Sequence, residues 1–234
     1  MKKVFILATA LMVCASQASA QLTYDLFYGL PSEAGAMGAD VGIQGSDISS
    51  IPDVTNVPLM IKKSFNDKLE VGGRVTLGVL NDGADSFQSL VVGGKYKLGE
   101  NNALSASVLL PLGGVEDPGL AVGYMMSMQA AGMMWNNQLH LGLLDGHTAG
   151  TGIDLEILLE PYKELNDKMV GYLDILIETN TDDIGGTPLG INLGPNLDYI
   201  LIEDLAVNVG VTIGITGDSK AEDIGFGLVL LKSM

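Results

Sequence analysis

Along residues 69–79 the chain changes face at every step. Leu69, Val71, Gly73, Val75, Leu77 and Val79 fall on one side, with Glu70, Gly72, Arg74, Thr76 and Gly78 interleaved. Residues 205–215 repeat the pattern, with Leu205, Val207, Val209, Val211, Ile213 and Ile215 set against Ala206, Asn208, Gly210, Thr212 and Gly214. Successive side chains of a strand point to opposite faces, so each segment predicts a strand with one apolar side and one small or polar side.

The same period predicts twelve strands, at 36–46, 56–65, 69–80, 87–98, 103–112, 119–134, 138–145, 152–163, 168–179, 188–201, 205–216 and 223–232. The intervening connections alternate in length. Short turns are expected at Asn66-Asp67, 99–102, Asn136-Asn137, 165–167 and Glu203-Asp204, and longer loops at 47–55, 81–86, 113–118, 146–151, 180–187 and 217–222. Such sorting puts all short turns at one end of a ring of hairpins, as in an all-β, single up-and-down antiparallel transmembrane β-barrel. Two turns share their wording, Asn66-Asp67-Lys68 and Asn166-Asp167-Lys168, and Asn and Asp tolerate the positive φ of tight hairpins. In the sixth strand, residues 130–134 blur the alternation begun by Tyr124, Met126 and Met128, and a β-bulge is expected there.

Composition narrows the picture. Lys2 and Lys3, an apolar run over 4–13 and Ala18-Ser19-Ala20 form a signal peptide, 1–20, cleaved before Gln21. Lipoprotein processing at Cys14 is the alternative, disfavoured by the bulky Val13 before it. Cys14 is the only cysteine, so the mature chain contains no thiol. Residues 21–234 then form one domain, with 21–35 either extending the first strand or tucked into the lumen. No mature stretch has the roughly 18 apolar residues of a membrane helix, so a membrane location requires a closed barrel, where every backbone group pairs. The net charge of −16 becomes −18 without the two signal lysines, which argues against nucleic-acid binding.

If the apolar face is outward, parity sends the charges inward. The second to fourth strands supply Lys62, Glu70, Arg74 and Lys95; the eighth to tenth supply Asp154, Glu156, Glu160, Asp174, Glu178 and Asp198. These strand groups lie opposite each other in a twelve-membered ring, giving a mostly basic wall facing an acidic one, the kind of lining by which pores select solutes. Glu160 should lie near Asp174 and Glu156 near Glu178. Their repulsion calls for a bound cation, water, or Arg74 and Lys95 reaching across. Phe65, Tyr96 and Trp135 stand beside short turns, where an interfacial aromatic girdle would sit.

The hairpins 68–74 and 91–96, rich in Gly and Val, are similar to those of Gram-negative outer-membrane β-barrels over essentially all of 36–234. Their style resembles the transporter barrels associated with phenol degradation. That resemblance implies a channel or transporter without catalytic residues to carry over. The chain departs from the pattern at its end: such barrels close on an aromatic residue read by the assembly machinery, whereas this one closes on Lys232-Ser233-Met234.

Other chemistry has few parts to use. His140 is expected to face the lumen near Ser105 or Ser107, a conceivable nucleophile pair, and Asp145-Gly146-His147 could orient an imidazole. Residues 81–86 carry oxygen ligands but no closing bidentate Glu of a calcium loop. The sequence therefore predicts a non-enzymatic, cofactor-free outer-membrane channel for small solutes, with outer-membrane lipid and the assembly machinery as partners. A non-conducting structural or surface-interaction barrel is the second reading, and a soluble exported β-sandwich or lipocalin-like binder the third.

Overall fold

The structure, a computed structural model, describes residues 30–45, 55–78, 87–111, 118–144, 153–180, 189–216 and 224–233. Their strands are β1 Met37–Gly45, β2 Thr55–Ser64, β3 Leu69–Gly78, β4 Phe87–Gly99, β5 Asn102–Pro111, β6 Gly119–Ala130, β7 Met133–Leu144, β8 Asp154–Asn166, β9 Met169–Asn180, β10 Gly190–Ile202, β11 Leu205–Thr216 and β12 Ile224–Ser233. Each pairs antiparallel with its sequence neighbours, and β1 pairs with β12 from Gly38↔Ser233 to Gly45↔Phe226, so the sheet closes into a barrel without an edge. The signal peptide, the 81–86 loop, Asp145-Gly146-His147 and Met234 lie outside the described residues.

The alternation has the sense the sequence predicts. Ile61, Leu104, Val209 and Leu228 stand outside, each about half exposed, while Met60, Ala103, Asn208 and Val229 beside them are buried inside. The result is apolar side chains around the exterior and a polar, charged inner face, the reverse of a water-soluble domain and the pattern of a transmembrane barrel. Phe65 and Tyr96 are exposed near the short-turn end, with Trp135 half-buried.

The glycines have a spatial reason. Gly72 and Gly93 are register partners on the inner face of β3 and β4. A Cβ on Gly72 would sit 2.6 Å from the Ile61 carbonyl oxygen, and one on Gly93 2.6 Å from that of Ala106. Their missing side chains leave room beside the inward-pointing Lys62, Arg74 and Lys95.

One hairpin differs from expectation. The turn between β6 and β7 is Ala131-Gly132, not Asn136-Asn137, so β6 ends at Ala130 and β7 begins at Met133. Both turn residues have positive φ, 52° and 76°, as a two-residue hairpin turn requires. No bulge lies near 130–134; the register shift in this pair is at Leu120/Ala121. The blurred alternation is the turn itself.

Candidate functional site

Strand tilt in a barrel makes a line drawn along the hydrogen-bond direction climb from one end to the other. One such line links Ser64, Glu70, Lys95, Ser105, Gly123, His140, Glu156, Glu178 and Gly190 through successive register pairs. It starts at the short-turn end of β2 and finishes at the long-loop end of β10, so these polar side chains and glycines form a helical track on the lumen wall. Apolar residues flank it, with Val91 and Leu109 toward the long-loop end and Met125 and Leu158 toward the other, all within one packed cluster.

At the bottom of the track, Glu70 is a hub. Lys95 Nζ lies 3.0 Å and Lys62 Nζ 3.8 Å from its Oε1, while Ser64 Oγ donates to Oε2 at 2.9 Å and the Ser32 backbone N–H at 3.0 Å. Lys95 also donates to the Leu30 carbonyl at 3.3 Å. Residues 30–35 therefore seat on the lumenal charges, with Pro31 and Ser32 buried, and Gly35 N–H is anchored to the Ser64 carbonyl at 2.8 Å. Of the two placements open for this segment, its described part has the lumenal one.

Lys62, Glu70, Arg74 and Lys95 are buried on β2–β4, and Glu160, Asp174 and Asp198 are buried on β8–β10, with Asp154, Glu156 and Glu178 half-buried. Glu156 and Glu178 are register partners. Lys95 is paired with Glu70 on the neighbouring strand. Neutral donors serve the acids. Asn136 Nδ2 donates to Glu160 at 2.8 Å, Asn196 Nδ2 to Asp174 at 2.7 Å and Asn192 Nδ2 to Glu178 at 2.9 Å. Asp198 accepts from Tyr172 Oη at 2.6 Å and Asn208 Nδ2 at 2.7 Å.

Sequence reasoning followed charge and so passed over these asparagines and Tyr172, although inward parity marks them too. It also missed Asp40 on β1, a buried carboxylate whose two oxygens have no hydrogen-bond partner among the described residues.

His140 Nδ1 lies 3.2 Å from Glu156 Oε2. Ser105 and Ser107 are both buried, and Ser107 shares with His140 a cavity near the long-loop end. That cavity has a volume of about 40 Å³ and is lined by polar Asp154, Glu156, Ser107 and His140 and apolar Val91, Leu109 and Leu120. Among the described residues no group of three or more His, Cys, Asp or Glu is placed to hold a metal ion.

No family model matches the chain, and no curated protein matches it in sequence. Solved structures do share its fold. The chain superposes on the KdgM porin with a TM-score of 0.57 at 11% identity, over 84% of this chain and 99% of that one. The COG4313 outer membrane channel from Pseudomonas putida F1 gives 0.58 at 12%, over 88% and 97%. The NanC porin gives 0.59 at 8%, over 84% and 98%.

Proposed function

We propose that this chain is an outer-membrane β-barrel that passes small solutes through its lumen without catalysis. The observation that carries the reading is the closed twelve-stranded ring with its apolar face outward and its charges inward. Lipid solvates such an exterior, and a lumen lined by charge selects what crosses. The folds of porins and channels named above support it. The kinship with transporter barrels of phenol degradation rests on the Gly- and Val-rich hairpins alone. Export through a cleaved signal peptide and insertion by the outer-membrane assembly machinery belong to the same proposal.

Selectivity is assigned to Lys62, Glu70, Arg74 and Lys95 facing Asp154, Glu156, Glu160, Asp174, Glu178 and Asp198. These ten residues comprise seven acids and three bases, so the net lumenal charge is negative and the channel should favour cations. Recording the refolded protein in planar bilayers tests this: small cation-selective steps are expected, and Glu156→Lys should move the reversal potential toward anions. Absence of conductance above background would overturn the channel and leave the barrel.

A second reading, a non-conducting structural barrel, is favoured by one observation. Lys62, Glu70 and Lys95 are at most 3% exposed, packed at the short-turn end of the lumen with residues 30–32 against them.

A further inference from the structure

We propose that the cavity between β4, β5, β6, β7 and β8 binds a small aliphatic ammonium ion, with the ammonium against Glu156, Asp154 and Ser107 and the alkyl chain against Val91, Leu109 and Ala121. The two sides of the lining differ in kind, which suits a ligand with a charged head and an apolar tail. A volume of about 40 Å³ holds about three water molecules, which limits the ligand to a few heavy atoms.

The acids are given room for this arrangement. Asp154 is the register partner of Gly142 on β7, and a Cβ on Gly142 would stand 3.2 Å from Asp154 Cβ and 3.4 Å from its Oδ2. Glu178 faces Gly190 on β10 in the same way, 2.8 Å from Cγ. Each of these acids thus has a bare stretch of neighbouring strand beside it. His140 sits on one oxygen of Glu156 at 3.2 Å and fixes the orientation of that carboxyl, while Glu178 beside Glu156 keeps the local charge negative.

The sequence adds charge of the same sign. The six connections at this end of the barrel carry twelve Asp or Glu and a single basic residue, Lys220. A field of that kind raises the local concentration of cations and speeds their arrival. Anions would be repelled, and neutral alcohols would gain only the apolar half of the lining.

That this cavity is the first station of a solute's passage rests on the channel reading; the binding does not. Propylammonium, propan-1-ol and propionate, which share one alkyl chain, discriminate by titration calorimetry against the folded barrel in detergent. Propylammonium should bind saturably, and propionate should give no heat of binding. Asp154→Asn with Glu156→Gln should weaken propylammonium at least tenfold. Ala121→Trp, on the face of β6 that pairs with Ser107 and lines the cavity, fills the space and leaves the acids; it should abolish binding and keeps the test decisive if the double variant does not fold. Equal binding of propan-1-ol, any binding of propionate, or unchanged affinity in either variant overturns the site. Bilayer conductance measured on the same preparations reads the channel separately, so loss of one proposal is visible without loss of the other.

Discussion

At the scale of single residues, Glu70 holds more of the lumen than any of the acids opposite. It is buried, and it binds two ammonium groups, a hydroxyl and a backbone N–H. Removing one partner from a buried ion pair leaves the others uncompensated, at a cost of about 3–5 kcal/mol. Glu70→Ala should therefore lower the urea midpoint of the micelle-refolded barrel markedly, and Glu70→Gln, which keeps the two uncharged donors an acceptor, should cost less. A result in which both variants unfold with the parent would show that the hub contributes nothing. Glycines separate along a different line. Gly72→Ala puts a Cβ 2.6 Å from the Ile61 carbonyl oxygen, so backbone must shift, an overpacking cost of about 1–3 kcal/mol. Gly132→Ala meets nothing within 4 Å, so its cost is that of a left-handed φ alone, about 1 kcal/mol. The same urea titration should rank Gly72→Ala as the worse of the two.

At the scale of elements, the hairpins show what the sequence could and could not disclose. Asn66 and Asn166 stand in turns with the same wording and work alike: Asn66 Oδ1 accepts from Lys68 N–H at 2.8 Å, and Asn166 Oδ1 from Lys168 N–H at 2.9 Å. Asn136-Asn137 carries the same turn chemistry but lies inside β7. There Asn136 is consumed by the lumen, accepting from Ser127 Oγ at 2.7 Å while donating to Glu160. A tertiary demand for a hydrogen bond outweighs local turn preference, and nothing within a short window of sequence reveals it. The turn falls instead on Ala131, a poor residue for φ of 52°. Ala131→Asn should relieve that, raising stability by up to about 1 kcal/mol; a lower urea midpoint would contradict the turn assignment. The β10–β11 turn adds a pH dependence. Asp204 is bonded by the Lys232 ammonium, which holds its carboxyl below the usual range. A depressed value contributes stability above the unfolded pKa of about 4, lost as pH falls through the folded value. Because the pair is exposed, the loss should be local: the protection factor of the Ser233 amide, which donates to the Asp204 carbonyl at 2.9 Å, should decrease below about pH 4 before the barrel melts.

At the scale of the whole molecule, parity and ring closure together explain why so much was legible. Once Lys62 and Glu156 are known to point inward, the count of strands between them puts them on facing walls. Parity does not say which neutral side chains serve each acid, nor that the walls are joined by a rising line of register pairs, because both follow from the register of each neighbouring strand pair, which alternation alone does not fix. Nor does it place residues 30–35, which have no alternation to read. Yet these bear on whether anything passes. The Ser32 N–H and the Leu30 carbonyl hold this segment on Glu70 and Lys95, at the short-turn end of the lumen. Ser32→Pro deletes that N–H and leaves every wall residue unchanged. If residues 30–32 limit conduction, single-channel conductance should rise at least twofold while the reversal potential stays fixed, since the selecting charges remain. A rise with altered selectivity would mean that the segment itself contributes to the filter. Unchanged conductance would place the limiting constriction elsewhere, and the long-loop cavity lined by Asp154 and Glu156 would be the next position to widen.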